Sequence, residues 1–154
     1  MSSYQATVRW DHGDGEFLAD DYSRGHVWSF DGGIEVPASA SPDIVPLPKS
    51  VAEAVDPEEA FVASLASCHL LFFLSLAAKR RIDVVSYVDN ATGYMEKDDN
   101  GRMWISKVVL RPAATYVPDT APGQAVLEAL HHRAHELCFI ANSVKSDVVT
   151  EIVS

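Results

Sequence analysis

The segment Asp56–Lys79, DPEEAFVASLASCHLLFFLSLAAK, decides how this chain is read. Asp56 is a residue type that caps helix N-termini, Pro57 suits the first helical position, and Glu58 and Glu59 complement the positive end of a helix dipole. From Ala60 to Ala78 no side chain is formally charged, and Lys79-Arg80-Arg81 then suits a helix C-terminus. The pattern predicts a helix from Pro57 to about Lys79. Its apolar run of nineteen residues approaches the length of a membrane span with a basic flank. Ser64, Ser67, Cys68, His69, Ser75 and the polar chain on both sides argue instead for a helix buried in protein. A chain of 154 residues would cover such a helix most easily in an oligomer, and no membrane is expected as a partner.

Outward from this helix, the N-terminal third reads as extended. Tyr4–Trp10 alternates polar and apolar residues, His12–Gly15 is a turn, and Tyr22–Phe30 leads through Asp31-Gly32-Gly33 into Ile34-Glu35-Val36, a hairpin signal. Five prolines between Pro37 and Pro57 make that stretch a loop packed over the surface. Beyond the helix, Ile82–Val88 continues towards Glu96, Asp98–Gly101 turns the chain, and Met103–Tyr116 returns with β-branched alternation. Gln124–Cys138 spaces Val126, Leu127, Leu130, Ala134 and Leu137 for one apolar helix stripe, and Asp147–Val153 is a last short strand. Strands grouped apart from helices, with no linker or repeat, predict a single α+β domain over residues 1–154.

Composition narrows the function. Apolar residues make up 47% and charged residues 22%, ordinary for a globular chain, and the net charge of −10 repels phosphate backbones and anionic membranes. Nucleic acid is therefore not an expected partner. Two cysteines are too few for a disulfide scaffold, and Met1-Ser2-Ser3-Tyr4 does not open a signal peptide, so a reducing, cytoplasmic setting is expected.

Cys68 and Cys138 each read first as a small buried hydrophobe. A peroxide-reducing thiol needs more: thiolate character, a cationic or hydrogen-bonding neighbour, and a second thiol to resolve the sulfenic acid. Arg24, Glu58 and Cys138 are the candidates for those parts, although composition alone does not bring them together. The histidines offer a rival. In His131-His132-Arg133-Ala134-His135-Glu136, His131 and His135 lie one turn apart, a plausible metal pair. No glutamate follows the first histidine and no third ligand is evident nearby, so a structural or solvated face is preferred and a zinc hydrolase is the weaker enzyme reading.

The run Asp56-Pro57-Glu58-Glu59 through Cys68 resembles the N-P-E-[EQ]-L…A…C segment of the OsmC/Ohr family, the osmotically inducible and organic hydroperoxide resistance proteins. Cys138-Phe139-Ile140-Ala141-Asn142-Ser143 is similar to that family's second-cysteine motif, and the order of strands and helices matches over nearly the whole chain. The resemblance implies antiparallel sheets around two central helices in an intertwined homodimer. It also implies thiol-dependent reduction of organic hydroperoxides without metal or other cofactor, reoxidation being reversed by an external dithiol of the lipoyl type. Carried over by position, Cys68 is the attacking thiol, Cys138 the resolving one, Glu58 the carboxylate and Arg24 the arginine, with Arg9 as the other upstream candidate. His69, where an aromatic residue is common, and Phe72 are expected to line the substrate. Asp56 and Phe139 stand where the family favours asparagine and proline. A non-enzymatic member of the same fold, binding an apolar or electrophilic ligand, is the main alternative.

On one straight helix, Glu58 and Cys68 are about 15 Å apart along the axis and roughly 80° apart around it. Glu58 then cannot touch its own Cys68. Either the helix breaks, or a two-fold axis brings Glu58 to the other subunit's thiol. The uncharged helix favours the shared site.

Overall fold

The structure, a computed structural model, describes residues 1–154. Residues 1–60 and 61–154 form two compact units. In the first, β1 (Ala6–Arg9), β4 (His26–Phe30) and β5 (Glu35–Ala38) make an antiparallel sheet with β4 in the middle, while β2 (Gly15–Glu16) and β3 (Asp21–Tyr22) form a small hairpin. Gly15 is obligatory there: at φ +104°, an added Cβ would lie 2.2 Å from the Asp21 carbonyl oxygen. The expected run Tyr22–Phe30 is interrupted at Arg24, whose backbone N–H leaves the ladder to bond the Lys49 carbonyl at 2.8 Å. The proline-rich loop is pinned by a parallel bridge between Ala38 and Val55, and Ser39 Oγ accepts the Val51 N–H.

Helix α1 (Pro57–Lys79) starts and stops where its sequence directs. Asp56 Oδ1 accepts the Glu59 N–H at 2.8 Å and Glu59 Oε2 accepts the Asp56 N–H at 3.2 Å, a reciprocal capping box. At the other end Arg81 takes the left-handed conformation. The N–H groups of Arg81 and Ile82 return to the carbonyls of Ala78 and Ala77, which stops the helix and tucks Ile82 against Ala77.

In the second unit, β6 (Val84–Asp89) pairs antiparallel with β9 (Pro112–Tyr116). A separate sheet orders β7 (Thr92–Lys97), β8 (Met103–Leu110) and β10 (Asp147–Thr150) with β8 central. The β7–β8 pair is antiparallel and β10 joins it in parallel. The two long strands expected from Ile82 to Glu96 and from Met103 to Tyr116 are thus each split between two sheets. The reason sits at the break: the Asp89 carboxylate accepts the Arg111 N–H at 2.6 Å, and the Arg111 guanidinium donates to Thr92 Oγ1 at 2.9 Å. Polar residues inside apolar runs take the chain across.

Helix α2 (Gln124–Leu137) packs Leu130 and Ala134 against Phe73 and Ala77 of α1, with Tyr87, Ala114 and Tyr116 around them. A second cluster joins Leu65 of α1 to Val108 and Leu110 of β8. At Gly93, β7 approaches α1 so closely that a Cβ would come within 2.7 Å of Val62 Cγ2.

Along α1 only Leu65, His69, Phe73 and Ala77 are buried. Ala63, Ser67, Leu71, Leu74 and Ala78 recur at helical spacing on an exposed stripe, with Leu71 63% exposed. The helix is long and apolar enough to cross a membrane by length and composition. Burial on most faces, expected from its sequence, is therefore not achieved within one chain.

Candidate active site

Cys68 lies midway along α1 and Cys138 immediately after α2, seventy positions apart in the chain. Packing of the two helices makes their thiols neighbours, both in the free state and with Cys138 buried. The Cys138 thiol is pushed up to about 11, first by burial and then by interaction with Cys68. The Ala141 N–H, 3.4 Å from Cys138 Sγ, pulls the other way and loses. At neutral pH, then, the proton stays on Cys138.

Phe72, one helical turn beyond Cys68, packs edge-on to Phe139 at 5.0 Å, which puts an aromatic pair beside the sulfurs. His69 does not line a substrate space: it is 1% exposed and turned into the helix seam. There its Nε2 is 2.9 Å from Nδ1 of His131. His131 spends Nδ1 on His69, His132 pairs with Glu136 at 3.2 Å, and no three His, Cys, Asp or Glu side chains converge as ligands. Sequence reasoning missed the His69–His131 pair because the two rings are 62 positions apart and nothing local links them.

In the first unit, Arg24 is the organised arginine. Its guanidinium donates to Asp20 and to the Tyr22 carbonyl and lies 3.7 Å over the Tyr22 ring. Within the chain the carboxylate paired with Arg24 is not Glu58 but Asp20, which is held in the left-handed conformation at the end of a short 3-10 turn and also binds Lys49 at 3.1 Å. Both cations hold the Asp20 carboxyl below its ordinary value. Asp20 had no motif to mark it. Arg9, the other candidate, is an exposed residue of β1 and enters no ion pair or side-chain hydrogen bond. Arg24 borders a cavity of about 510 Å³ walled by Trp10, Phe17, Tyr22, His26 and Pro57, with the Phe17 and Tyr22 rings 4.7 Å apart.

Glu58 is half-buried in the first turn of α1, and that helix is unbroken as far as Lys79. The helix-break alternative for bringing Glu58 to its own Cys68 is thereby removed.

The mixed α+β fold, two helices with antiparallel sheets, matches OsmC-like structures. The model of that family, described as OsmC-like protein, matches residues 50–153, and the chain belongs to this family. An OsmC-like protein of unknown function from Vibrio cholerae is 54% identical, with a TM-score of 0.97 over 99% of this chain and all of that one. An organic hydroperoxide resistance protein from Elizabethkingia anophelis shares the fold at 15% identity and TM-score 0.72, covering 99% of this chain and 94% of that one. The organic hydroperoxide resistance protein OhrB of Bacillus subtilis does so at 18% and 0.64, covering 99% and 98%. No match was found among curated proteins.

Proposed function

We propose that the chain is a thiol peroxidase that reduces organic hydroperoxides. The observation that carries this reading is the meeting of Cys68 and Cys138 at the seam of α1 and α2. Membership in the OsmC-like family, which shares its fold with organic hydroperoxide resistance proteins, supports it.

In the proposed cycle the Cys68 thiolate attacks the distal peroxide oxygen, the O–O bond breaks, and the alkoxide leaves as an alcohol after taking a proton. Cys68 becomes a sulfenic acid. The Cys138 sulfur then attacks the Cys68 sulfur, its proton goes with the departing hydroxide as water, and a disulfide forms. An external dithiol, of the lipoyl type by family resemblance, reopens it. The high proton affinity of Cys138 divides the labour: the more exposed Cys68 attacks, and the protonated Cys138 waits. Arg24 stabilises thiolate and peroxide oxygens, with Asp20 orienting the guanidinium.

OsmC/Ohr proteins are typically homodimers, and we propose the same here. The exposed apolar stripe of α1 is the surface that calls for a partner, and the unbroken helix leaves Glu58 to serve the other subunit. The reducing cytoplasm is the proposed setting. The test is consumption of cumene hydroperoxide with dihydrolipoyl dithiol as reductant. Cys68→Ser should abolish turnover, whereas Cys138→Ser should consume one equivalent and stall. Turnover surviving in Cys68→Ser would refute the reading.

A further inference from the structure

Helices α1 and α2 are joined by a single side-chain hydrogen bond, between His69 Nε2 and His131 Nδ1 at 2.9 Å. The two imidazoles are nearly coplanar, 2° apart, with centroids separated by 5.2 Å, and His131 also stacks on Phe73 at 4.4 Å. Both are core residues, 1% and 3% exposed. On α1, His69 is the residue after Cys68, and on α2 His131 stands about two turns before Cys138.

The remaining nitrogens assign the protons. His69 Nδ1 is shut away from water with no partner. A buried N–H without an acceptor is rarer than an acceptor without a donor. His69 is therefore the Nε2–H tautomer, donating to His131 Nδ1. His131 then keeps its own N–H on Nε2, and the residue borders a cavity of about 270 Å³ together with Glu128, His132 and His135. Burial favours the uncharged form of both rings, so the bond joins two neutral groups.

Such a bond does something that the rest of the seam does not. Helix α1 itself carries apolar side chains on nearly every face, and apolar contacts are non-directional. Rotation of α1 by one residue would swing Cys68 about 100° away from Cys138 and put Ala66, Leu74 and Ala78 where Leu65, Phe73 and Ala77 stand, a change that costs packing but leaves the seam apolar. A directional polar contact inside an apolar interface fixes register, as a buried polar pair does in coiled coils.

We propose that the His69–His131 hydrogen bond sets the register of α1 against α2 and so holds Cys68 and Cys138 in position for disulfide closure. His69 and His131 are positioning residues. The inference rests on the dithiol reading of Cys68 and Cys138, but not on peroxide being the oxidant.

The experiment equilibrates full-length protein with reduced and oxidised dithiothreitol and counts free thiols, without peroxide. His69→Leu and His131→Leu remove the bond. His69→Gln places an amide near the Nε2 position, and His131→Asn places one near Nδ1. The Leu variants should lower the equilibrium constant for the Cys68–Cys138 disulfide about tenfold, a potential about 30 mV more oxidising. The Gln and Asn variants should stay within about threefold of the parent. An unchanged constant in the Leu variants, or an equal loss in the amide variants, overturns the proposal. Should the variants fail to fold, the unmodified reduced protein labelled with ¹⁵N-histidine decides: a nitrogen–nitrogen coupling between His69 and His131 supports the bond, and its absence overturns it. If the parent forms the disulfide with dithiothreitol yet consumes no hydroperoxide, the peroxidase reading fails while this inference is still decided by the variants.

Discussion

The two units of this chain differ in how they hold themselves together. Residues 61–154 own a core: Leu65, Phe73, Val108, Leu110 and Leu130 are all fully buried. Residues 1–60 bury Ala38, Ser39, Ser50 and Asp56 but no large apolar side chain, while Trp10, Phe17, Leu18, Ile34, Ile44 and Leu47 are exposed. The contrast teaches where each kind of chemistry is settled. The thiol pair and the histidine pair rest on the packed helices of that core. The Arg24 site rests on short strands, an aromatic cluster and an ion pair, and its apolar surface waits for cover.

Substitutions in each unit test this contrast. The largest effect falls on the helix seam: Cys68→Ser should lower hydroperoxide turnover by about a thousandfold or more, measured with cumene hydroperoxide and a lipoyl dithiol. In thermal or urea unfolding, Phe73→Ala should cost about 3–5 kcal/mol, whereas Phe17→Ala, at a half-exposed ring, should cost less than about 1 kcal/mol. Equal costs would erase the distinction between the units.

Acid should act on the second unit in the same range. His69 and His131 are lowered from 6.5 to about 4, His69 by burial and then by His131 and His135, His131 by burial. Because the folded values are depressed, the unfolded chain takes protons first. Stability is thus intact above about pH 6.5 and lost progressively as pH falls towards 4. Urea midpoints at pH 7, 5.5 and 4.5 check this, and His131→Leu should flatten the profile. The smallest effects belong to the first unit: Arg24→Ala should lower kcat/KM about a hundredfold and Asp20→Asn about threefold, because Asp20 only orients the guanidinium.

Much of the fold was legible because its signals are local. Asp56, Pro57 and Glu59 announce the start of α1, and the periodicity of Leu127, Leu130 and Ala134 announces α2. The splitting of the long strands was not legible, since it depends on Asp89 meeting Arg111 across 22 positions. The site divides in the same way. Cys68 and Cys138 were named by motif, and their adjacency comes from packing. Within one chain Arg24 pairs with Asp20, and that contact was not legible because it depends on a left-handed residue no local motif marks.

The strong hold of Cys138 on its proton has a practical corollary. With a value of about 11, the sulfur there is overwhelmingly protonated at pH 7. Iodoacetamide and maleimide reagents, which capture only the anion, should leave this side chain unmodified in the folded protein. A chemical survey of cysteine labelling would score it as inert even if it formed a cross-link in every turn of the cycle.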